Sequence, residues 1–337
     1  MRRISVPLFV VTAAAMVLCV RITPTAQGAG LGAARVSHIG VTVPDIEAAI
    51  RHYVRVMGFP MPKVNTIPVP MPDGRNAELK LATFYLPNFH IELTQPMNAM
   101  GPYYDHLQTH GMSIQHVGLV VPGAGSVDGP RSGLEQQGGR WTLGAKGGTF
   151  AYVSFEATLG TTLEVIRGGA TPGEPPLSPS ANDAVPPLAA LRVGHVGFAA
   201  TDAAVVANRF ATILGATPPK VIDYRDAQYP PDAKWNKSAY LRLASWDQGG
   251  IGVEVIESVG GPTPWSEYVA RQKGTAAQHL AINVGNRMDE MIRDLVAKGG
   301  KWTNGKPGGN YAYVDFMDTL GLVFELNGTS KSAAAGK

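Results

Sequence analysis

The chain has 337 residues, is 45% apolar and carries a formal net charge of +3, so it can bury a sizeable core and is long enough for two domains. Removal of residues 1–28 would take away Arg2, Arg3 and Arg21 with no acid, and would leave 26 acidic residues, equally many basic ones and no cysteine. Disulfides, thiolate metal sites and a basic nucleic-acid surface are therefore excluded for the mature chain.

The first segment of the chain, MRRISVPLFVVTAAAMVLCV, has two arginines followed by an apolar run, and the RITPTAQGAG that follows is rich in small residues. This layout is typical of a secretory signal peptide, which we place at residues 1–28. The apolar run is shorter than the roughly 20 residues that span a bilayer. A membrane contact is expected only if the segment stays uncleaved, and a lipid on Cys19 is disfavoured because Leu18 precedes it. The sequence predicts a secreted or periplasmic protein.

The next predicted elements form one module near residues 35–95. RVSHIGVTV is β-branched and apolar and predicts a strand with His38 near its centre. A helix is predicted between Pro44 and Gly58, since proline favours the first turn and glycine the end. AELKLATFYL and FHIEL predict a strand pair that closes on Glu92. The module is therefore βαβββ.

The same pattern recurs three times further along the chain. The stretches that begin at Gly138 and Gly299 align without a gap as far as Glu164 and Glu325, at a constant offset of 161 residues. A fixed internal period indicates duplication. Four βαβββ modules are predicted near residues 35–95, 113–168, 192–257 and 276–328.

A segment with six prolines and no apolar period separates the two halves, which favours an extended tether. We predict an α+β protein whose four modules form two domains, with the pairing of the modules left open, and a monomer or homodimer. The predicted parts are a signal peptide at 1–28, a first domain at 35–168, a linker at 169–190, a second domain at 191–328 and a flexible tail at 329–337.

Each module carries a histidine in its first strand and a glutamate in its last. A carboxylate in an apolar strand is costly to bury unless it has a partner or a metal ion. Two imidazoles and two carboxylates suit Zn, Ni, Co, Mn or Fe(II), and the repetition favours a metal over buried His–Glu hydrogen-bonded pairs. The predicted metal ligands are His38, Glu92, His116 and Glu164 in the first half and His195, Glu254, His279 and Glu325 in the second.

Lys80 and Arg242 occupy matched positions on the strand before Glu92 and Glu254. They could anchor a carboxylate or phosphate of a substrate, or be two basic residues on the outer face of the sheet. Four histidines without a histidine counterpart in the second half are interpreted as solvated or rim residues: His52, His90, His106 and His110. Shared aromatic residues are interpreted as core and turn residues: Trp141 with Trp302, and Tyr152 with Tyr313.

The paired βαβββ modules, the histidine of each first strand, the closing segment AYVDFMDTLGLVFEL and the passage IELTQP…DHLQTHG…QHVGLVV resemble the vicinal oxygen chelate superfamily. That superfamily includes glyoxalase I, methylmalonyl-CoA epimerase, extradiol dioxygenases and bleomycin or fosfomycin resistance proteins. The resemblance covers nearly all of residues 35–328. It implies a cleft formed by two modules, with a divalent metal ion on its floor and a small-molecule substrate.

The complete His/Glu/His/Glu set resembles the glyoxalase I and epimerase branch. This implies a metal-dependent lyase or isomerase for a substrate with vicinal oxygens, in which Glu164 and Glu325 are ligands that can also act as the general base. An extradiol Fe(II) dioxygenase using His195, His279 and Glu325 is the alternative, although this chain has Phe316 and an Asp-Thr pair in place of that family's tyrosine and Asp-Pro pair. A non-catalytic small-molecule-binding protein is a further alternative. Export argues against glutathione and CoA substrates, which are cytoplasmic.

Overall fold

The structure is a computed structural model that describes residues 31–168, 185–230 and 232–329. The predicted signal peptide, most of the predicted linker and the tail beyond residue 329 lie outside the described residues. Within the described ranges, no helix is both long and apolar enough to cross a membrane.

The first half contains eight strands and four helices in the described ranges. They are β1 (Arg35–Thr42), α1 (Ile46–Met57), β2 (Asn65–Pro70), β3 (Asn76–Leu86), β4 (Phe89–Pro96), α2 (Pro102–His110), β5 (Ser113–Val121), α3 (Asp128–Gln136), β6 (Arg140–Leu143), β7 (Phe150–Ser154), α4 (Glu156–Leu159) and β8 (Thr162–Arg167).

The second half repeats this order after a short 3-10 helix at Leu188–Ala190. Its elements are β9 (Val193–Ala200), α5 (Ala203–Leu214), β10 (Ile222–Tyr224), β11 (Tyr240–Asp247), β12 (Gly252–Val259), α6 (Pro264–Gln272), β13 (Ala276–Gly285), α7 (Met288–Ala297), β14 (Lys301–Gly305), β15 (Tyr311–Asp315), α8 (Met317–Leu320) and β16 (Val323–Gly328).

The first helix of each half begins and ends by the same local chemistry. The Asp45 side chain accepts a hydrogen bond from the Ala48 amide and caps α1, which ends at Gly58 in the left-handed conformation. Asp202 caps α5 in the same way. The duplicated sequence therefore specifies the same helix twice.

Each half forms one eight-stranded mixed sheet. The order is β2-β3-β4-β1-β5-β8-β7-β6 in the first half and β10-β11-β12-β9-β13-β16-β15-β14 in the second. The two first strands, β1 and β5, pair antiparallel at the centre, while β4 and β8 run parallel to β1 and β5. The first module therefore pairs with the second and the third with the fourth. The predicted α+β fold of four βαβββ modules is confirmed.

The largest apolar cluster joins the two halves, because it contains buried residues of both. Tyr53 of α1 donates a hydrogen bond to the Leu320 carbonyl at 2.8 Å, and the Gln248 side chain donates to the Ala34 carbonyl at 2.6 Å. Residues 185–190, predicted as linker, are part of this packed structure, since Leu188 is 1% exposed. Their apolar side chains find a place in the core that the proline count does not reveal.

Candidate metal centres

The four predicted ligands of the first half lie together on the central strands. His38 Nε2 lies 2.7 Å from Glu164 Oε2 and 3.2 Å from His116 Nε2. Glu92 is further away, with its Oε2 4.0 Å from His38 Nε2 and 3.8 Å from His116 Nε2. One donor atom from each residue falls within 4.8 Å of all the others, and we name this group the first centre.

The four predicted ligands of the second half form the equivalent group, which we name the second centre. His195 Nε2 lies 2.8 Å from Glu325 Oε2 and 3.3 Å from His279 Nε2. Glu254 Oε2 is 3.5 Å from His195 and 3.4 Å from His279. This oxygen is buried and makes no hydrogen bond within the described residues, although it faces both imidazoles.

Glycines on the neighbouring strands make room for the imidazole rings. A β-carbon at Gly40 would lie 1.7 Å from a ring atom of His116, and one at Gly118 would lie 1.8 Å from the ring of His38. Gly197 leaves the same space for His279. The sheet register places each of these glycines opposite the histidine that it accommodates, so each ring fills the space that a side chain on the neighbouring strand would occupy.

The outer nitrogens of three histidines are held by residues at irregularities of the strand register. In a regular strand, consecutive side chains point to opposite faces, but a bulge breaks this alternation. Register shifts at Ser37 and Gln115 leave Ser37 Oγ 3.0 Å from His38 Nδ1 and Gln115 Oε1 3.0 Å from His116 Nδ1. Gln278 has the same role for His279, at 3.2 Å. An acceptor at Nδ1 leaves Nε2 with a free lone pair directed at the cluster.

Burial and the neighbouring carboxylates have opposite effects on the pKa values of the histidines in both centres. Burial and the neighbouring His38 lower the pKa of His116 to about 3, so this imidazole is neutral at ordinary pH. Burial would also lower the pKa of His195, but the Glu325 and Glu254 carboxylates outweigh it and raise the pKa well above its usual value. Each pair of carboxylates therefore needs a compensating positive charge, either a proton or a cation.

The donor sets fit a divalent cation. Two imidazole nitrogens that bind one ion at the usual length of about 2.0–2.1 Å lie roughly 2.9–3.4 Å apart. The two Nε2–Nε2 separations, 3.2 Å and 3.3 Å, fall in this interval. Two imidazoles and two carboxylates form a borderline-to-hard donor set that suits Zn, Ni, Co, Mn or Fe(II).

Lys80 and Arg242 do not line either centre. Lys80 is three residues from Thr83, which lies opposite Glu92, and Arg242 is three residues from the residue opposite Glu254, so alternation turns both basic side chains to the other face of the sheet. There Lys80 pairs with Glu47 at 2.7 Å and Arg242 with Glu257 at 2.9 Å. The structure thus supports the outer-face alternative for both residues.

The structure shows contacts of several residues near the centres that the sequence analysis did not predict. The His90 ring stacks on His38 with a centroid separation of 4.3 Å, and its side chain is 20% exposed. Tyr313 donates a hydrogen bond to Glu325 Oε2 at 2.9 Å, and Tyr103 lies 3.3 Å from His116 Nδ1. His106 is buried, not solvated. The repetition of Tyr152 and Tyr313 was the sequence signal that could have placed a tyrosine beside each final glutamate.

Comparisons with known proteins agree with this architecture. The sequence matches the Glyoxalase/Bleomycin resistance protein/Dioxygenase superfamily over residues 37–152 and 194–316. A comparison with curated protein sequences gives no significant match.

Three solved structures were found to be similar, and the first of them shares the fold. A triply substituted 4-hydroxymandelate synthase from Streptomyces coelicolor has a TM-score of 0.58 at 16% identity, over 88% of this chain and 92% of that chain. A xylose isomerase-like TIM barrel/4-hydroxyphenylpyruvate dioxygenase fusion protein has a TM-score of 0.46 at 12% identity, over 94% and 51%. A hypothetical protein from Bacillus halodurans C-125 has a TM-score of 0.31 at 19% identity, over 42% and 99%.

The match to the family covers most of each half of the chain, from the first strand of each sheet as far as β7 in the first half and β15 in the second. Members of this superfamily use divalent metals, and each half of this chain has a His/Glu cluster that could hold one. The protein therefore belongs to the Glyoxalase/Bleomycin resistance protein/Dioxygenase superfamily, the vicinal oxygen chelate superfamily, as a tandem member with one candidate metal centre in each half.

Proposed function

We propose that the protein is a divalent-metal-dependent lyase or isomerase that acts on a small molecule with vicinal oxygens. The observation that carries this proposal is the fourth donor of each cluster. Glu254 lies within 3.5 Å of both imidazoles of the second centre, and Glu92 lies within 4.0 Å of both imidazoles of the first. A set of two histidines and two glutamates is more than the two-histidine, one-carboxylate triad of non-haem iron oxygenases requires.

The eight clustered residues are proposed as the metal ligands. When bound, a divalent ion supplies Lewis-acid polarisation of a carbonyl oxygen, which makes a neighbouring C–H group more acidic. Glu164 and Glu325 are proposed as general bases as well as ligands, since they are the carboxylates closest to an imidazole in each cluster. The Tyr313 hydroxyl would orient Glu325 through its hydrogen bond.

The second candidate is an Fe(II)-dependent dioxygenase that uses His195, His279 and Glu325. What favours it is the fold shared with 4-hydroxymandelate synthase along 88% of this chain. In such an enzyme the Glu254 carboxylate would stand beside a triad that is already complete. We therefore rank this candidate second.

The proposed location restricts the substrate. Residues 1–28, which lie outside the described residues, are proposed as a secretion signal because of their two arginines, apolar run and small-residue exit. Glutathione adducts and CoA thioesters are cytoplasmic, so an exported enzyme would act on other hydroxycarbonyl or 1,3-dicarbonyl compounds.

Elemental analysis of the purified protein and two assays test the proposal. We expect a divalent metal, and deuterium uptake from D2O at the C–H group next to the carbonyl in a panel of α-hydroxycarbonyl and 1,3-dicarbonyl compounds. Glu325→Gln together with Glu164→Gln should abolish this deuterium uptake, and Glu47→Gln on α1, outside both centres, is the matched control. Iron content together with oxygen uptake on catechols would favour the dioxygenase. Protein without metal that still binds such compounds would favour a non-catalytic binding protein.

A further inference from the structure

The two centres have the same four ligand types but differ in what holds the first histidine. Ser37 Oγ donates to the Gly118 carbonyl at 3.3 Å and lies 3.0 Å from His38 Nδ1, from which it can therefore accept a hydrogen bond. In the second half Gly194 occupies the place of Ser37. Within the described chain, both hydrogen-bond partners of His195 are on Nε2, and its Nδ1 has none.

The two centres also differ in what packs against the ring of the first histidine. His90 pairs with His38 across two parallel strands, and its ring stacks on the His38 ring at an interplanar angle of 15°. In the second half the residue paired with His195 is Gly252, where a β-carbon would lie only 2.8 Å from the His195 β-carbon. The side chain of His38 is 0% exposed, while that of His195 is 9% exposed.

The other histidine of each centre has a glutamine on its outer nitrogen, and His116 also has the Tyr103 hydroxyl 3.3 Å from its Nδ1. Gln115 accepts from His116 Nδ1 at 3.0 Å, and Gln278 accepts from His279 Nδ1 at 3.2 Å. The glutamine partner is thus common to both centres, and the larger difference between their imidazoles is at His38 and His195.

We propose that the two centres are unequal metal sites, with the first holding its divalent ion tightly and the second exchanging it. A partner on the outer nitrogen fixes the tautomer and orientation of a ligand histidine and raises its basicity, and loss of such a partner typically costs about 10–100-fold in metal affinity. His38 has this partner and a stacked ring beside it. His195 has neither and reaches solvent. The inference rests on the proposed metal binding and is independent of the reaction.

The positions of Glu92 and Glu254, in contrast, would favour tighter binding at the second centre. Glu92 lies further from the two imidazoles, at 4.0 Å and 3.8 Å, than Glu254 does, at 3.5 Å and 3.4 Å. A glutamate side chain can close such a gap by small rotations about its flexible bonds. An imidazole without a partner has to be fixed in both ring orientation and tautomer, which costs more affinity.

Site-isolated variants test the proposal. His279→Ala leaves only the first centre and His116→Ala leaves only the second, and each protein is titrated with Zn²⁺ against a competing chelator. We expect a Kd at least about tenfold lower for the first centre. Equal affinities, or a tighter second centre, would overturn the inequality. Absence of Zn²⁺ binding from both proteins would reject the proposed metal function as well.

Further substitutions in the His279→Ala protein, which retains only the first centre, then identify the residues that cause the difference in affinity. Ser37→Ala should weaken Zn²⁺ binding about tenfold, while Ser154→Ala, the same change elsewhere in the sheet, should leave the Kd unchanged. His90→Phe keeps a stacked ring and should retain more affinity than His90→Ala. Circular dichroism verifies that each variant is folded. An unchanged Kd in both Ser37→Ala and His90→Ala would refute the role of these positioning residues.

Discussion

His116 and His279 are fully buried and correspond to each other in the two halves, so they are suited to counting the metal ions. If each centre binds one ion, His116→Ala and His279→Ala should each lower the metal content by about one equivalent per chain, and the double variant by two. Mass spectrometry of the elements measures this, with His52→Ala on α1 as the control. Retention of full metal content in the double variant would contradict ligation and leave buried His–Glu pairs as the explanation.

Removal of the metal should also lower stability. An ion that binds the folded chain alone stabilises it by about 3 kcal/mol when free metal is a hundredfold above Kd. The single histidine variants should therefore unfold at lower urea concentration than the control in the presence of metal, and the difference should shrink when a chelator is added.

The stability of the protein should also depend on pH, through His106. It is a buried residue of α2, its Nε2 lies 2.9 Å from Ser113 Oγ, and burial and the nearby His110 lower its pKa to about 3. The folded pKa is below the unfolded value of about 6.5, so the unfolded chain binds the proton more readily. The stability that neutral His106 contributes is complete above pH 6.5 and is lost as the pH falls toward 3.

The expected slope below pH 6.5 is about 1.4 kcal/mol per pH unit from this single group. Urea denaturation of the metal-free protein between pH 7.5 and 5.0 measures it. His106→Gln should have a shallower dependence than the parent, while His52→Gln should follow the parent. A parallel dependence of the parent and His106→Gln would show that His106 is not the group responsible.

Among the secondary-structure elements, α1 and α5 are equivalent helices of the two halves, so the same capping interaction can be tested twice. Asp45 Oδ1 accepts from the Ala48 amide and Asp202 Oδ1 from the Val205 amide, both at 3.0 Å. Asp45→Ala and Asp202→Ala should each lower the free energy of unfolding by about 0.5–2 kcal/mol. Asparagine at either position keeps the acceptor and should cost less. Equal stability of the alanine and asparagine variants would show that the caps contribute nothing.

In the molecule as a whole, the two halves meet closely at Gly160, where α4 ends. Its φ is 64°, and a β-carbon there would lie 1.6 Å from the Thr275 carbonyl oxygen of the second half. Gly160→Ala should therefore combine left-handed strain with a backbone clash and loosen the contact between the halves. The loss of stability should exceed the roughly 1–2 kcal/mol that a left-handed non-glycine residue costs.

Gly147→Ala is the matched control for this change. Gly147 also has a positive φ, 76°, but a β-carbon there meets nothing within 4 Å. Thermal unfolding of the two variants separates strain from clash. Equal losses in both would mean that the contact at Thr275 is soft and contributes little to the joining of the halves.

The local elements and the residues of the two clusters could be predicted from the amino-acid sequence. Apolar periodicity and the Pro44 and Gly58 signals predicted the βαβββ modules, because helix and strand periods and terminal residues are properties of short segments. The duplication predicted which four histidines and four glutamates form the clusters. Residues that recur at the same position in each module come to equivalent places in the sheets. Their ligation of a metal stays a prediction.

Features that depend on pairing between distant segments became visible only in the folded protein. Sheet order joined the first module to the second, the common core took in residues 185–190, and strand parity turned Lys80 and Arg242 away from the centres. Ser37 reaches His38 only because a bulge disrupts alternation, and His90 reaches it only across a strand pair. Register and bulges arise when separate strands hydrogen-bond to each other, so the chain order alone does not reveal them.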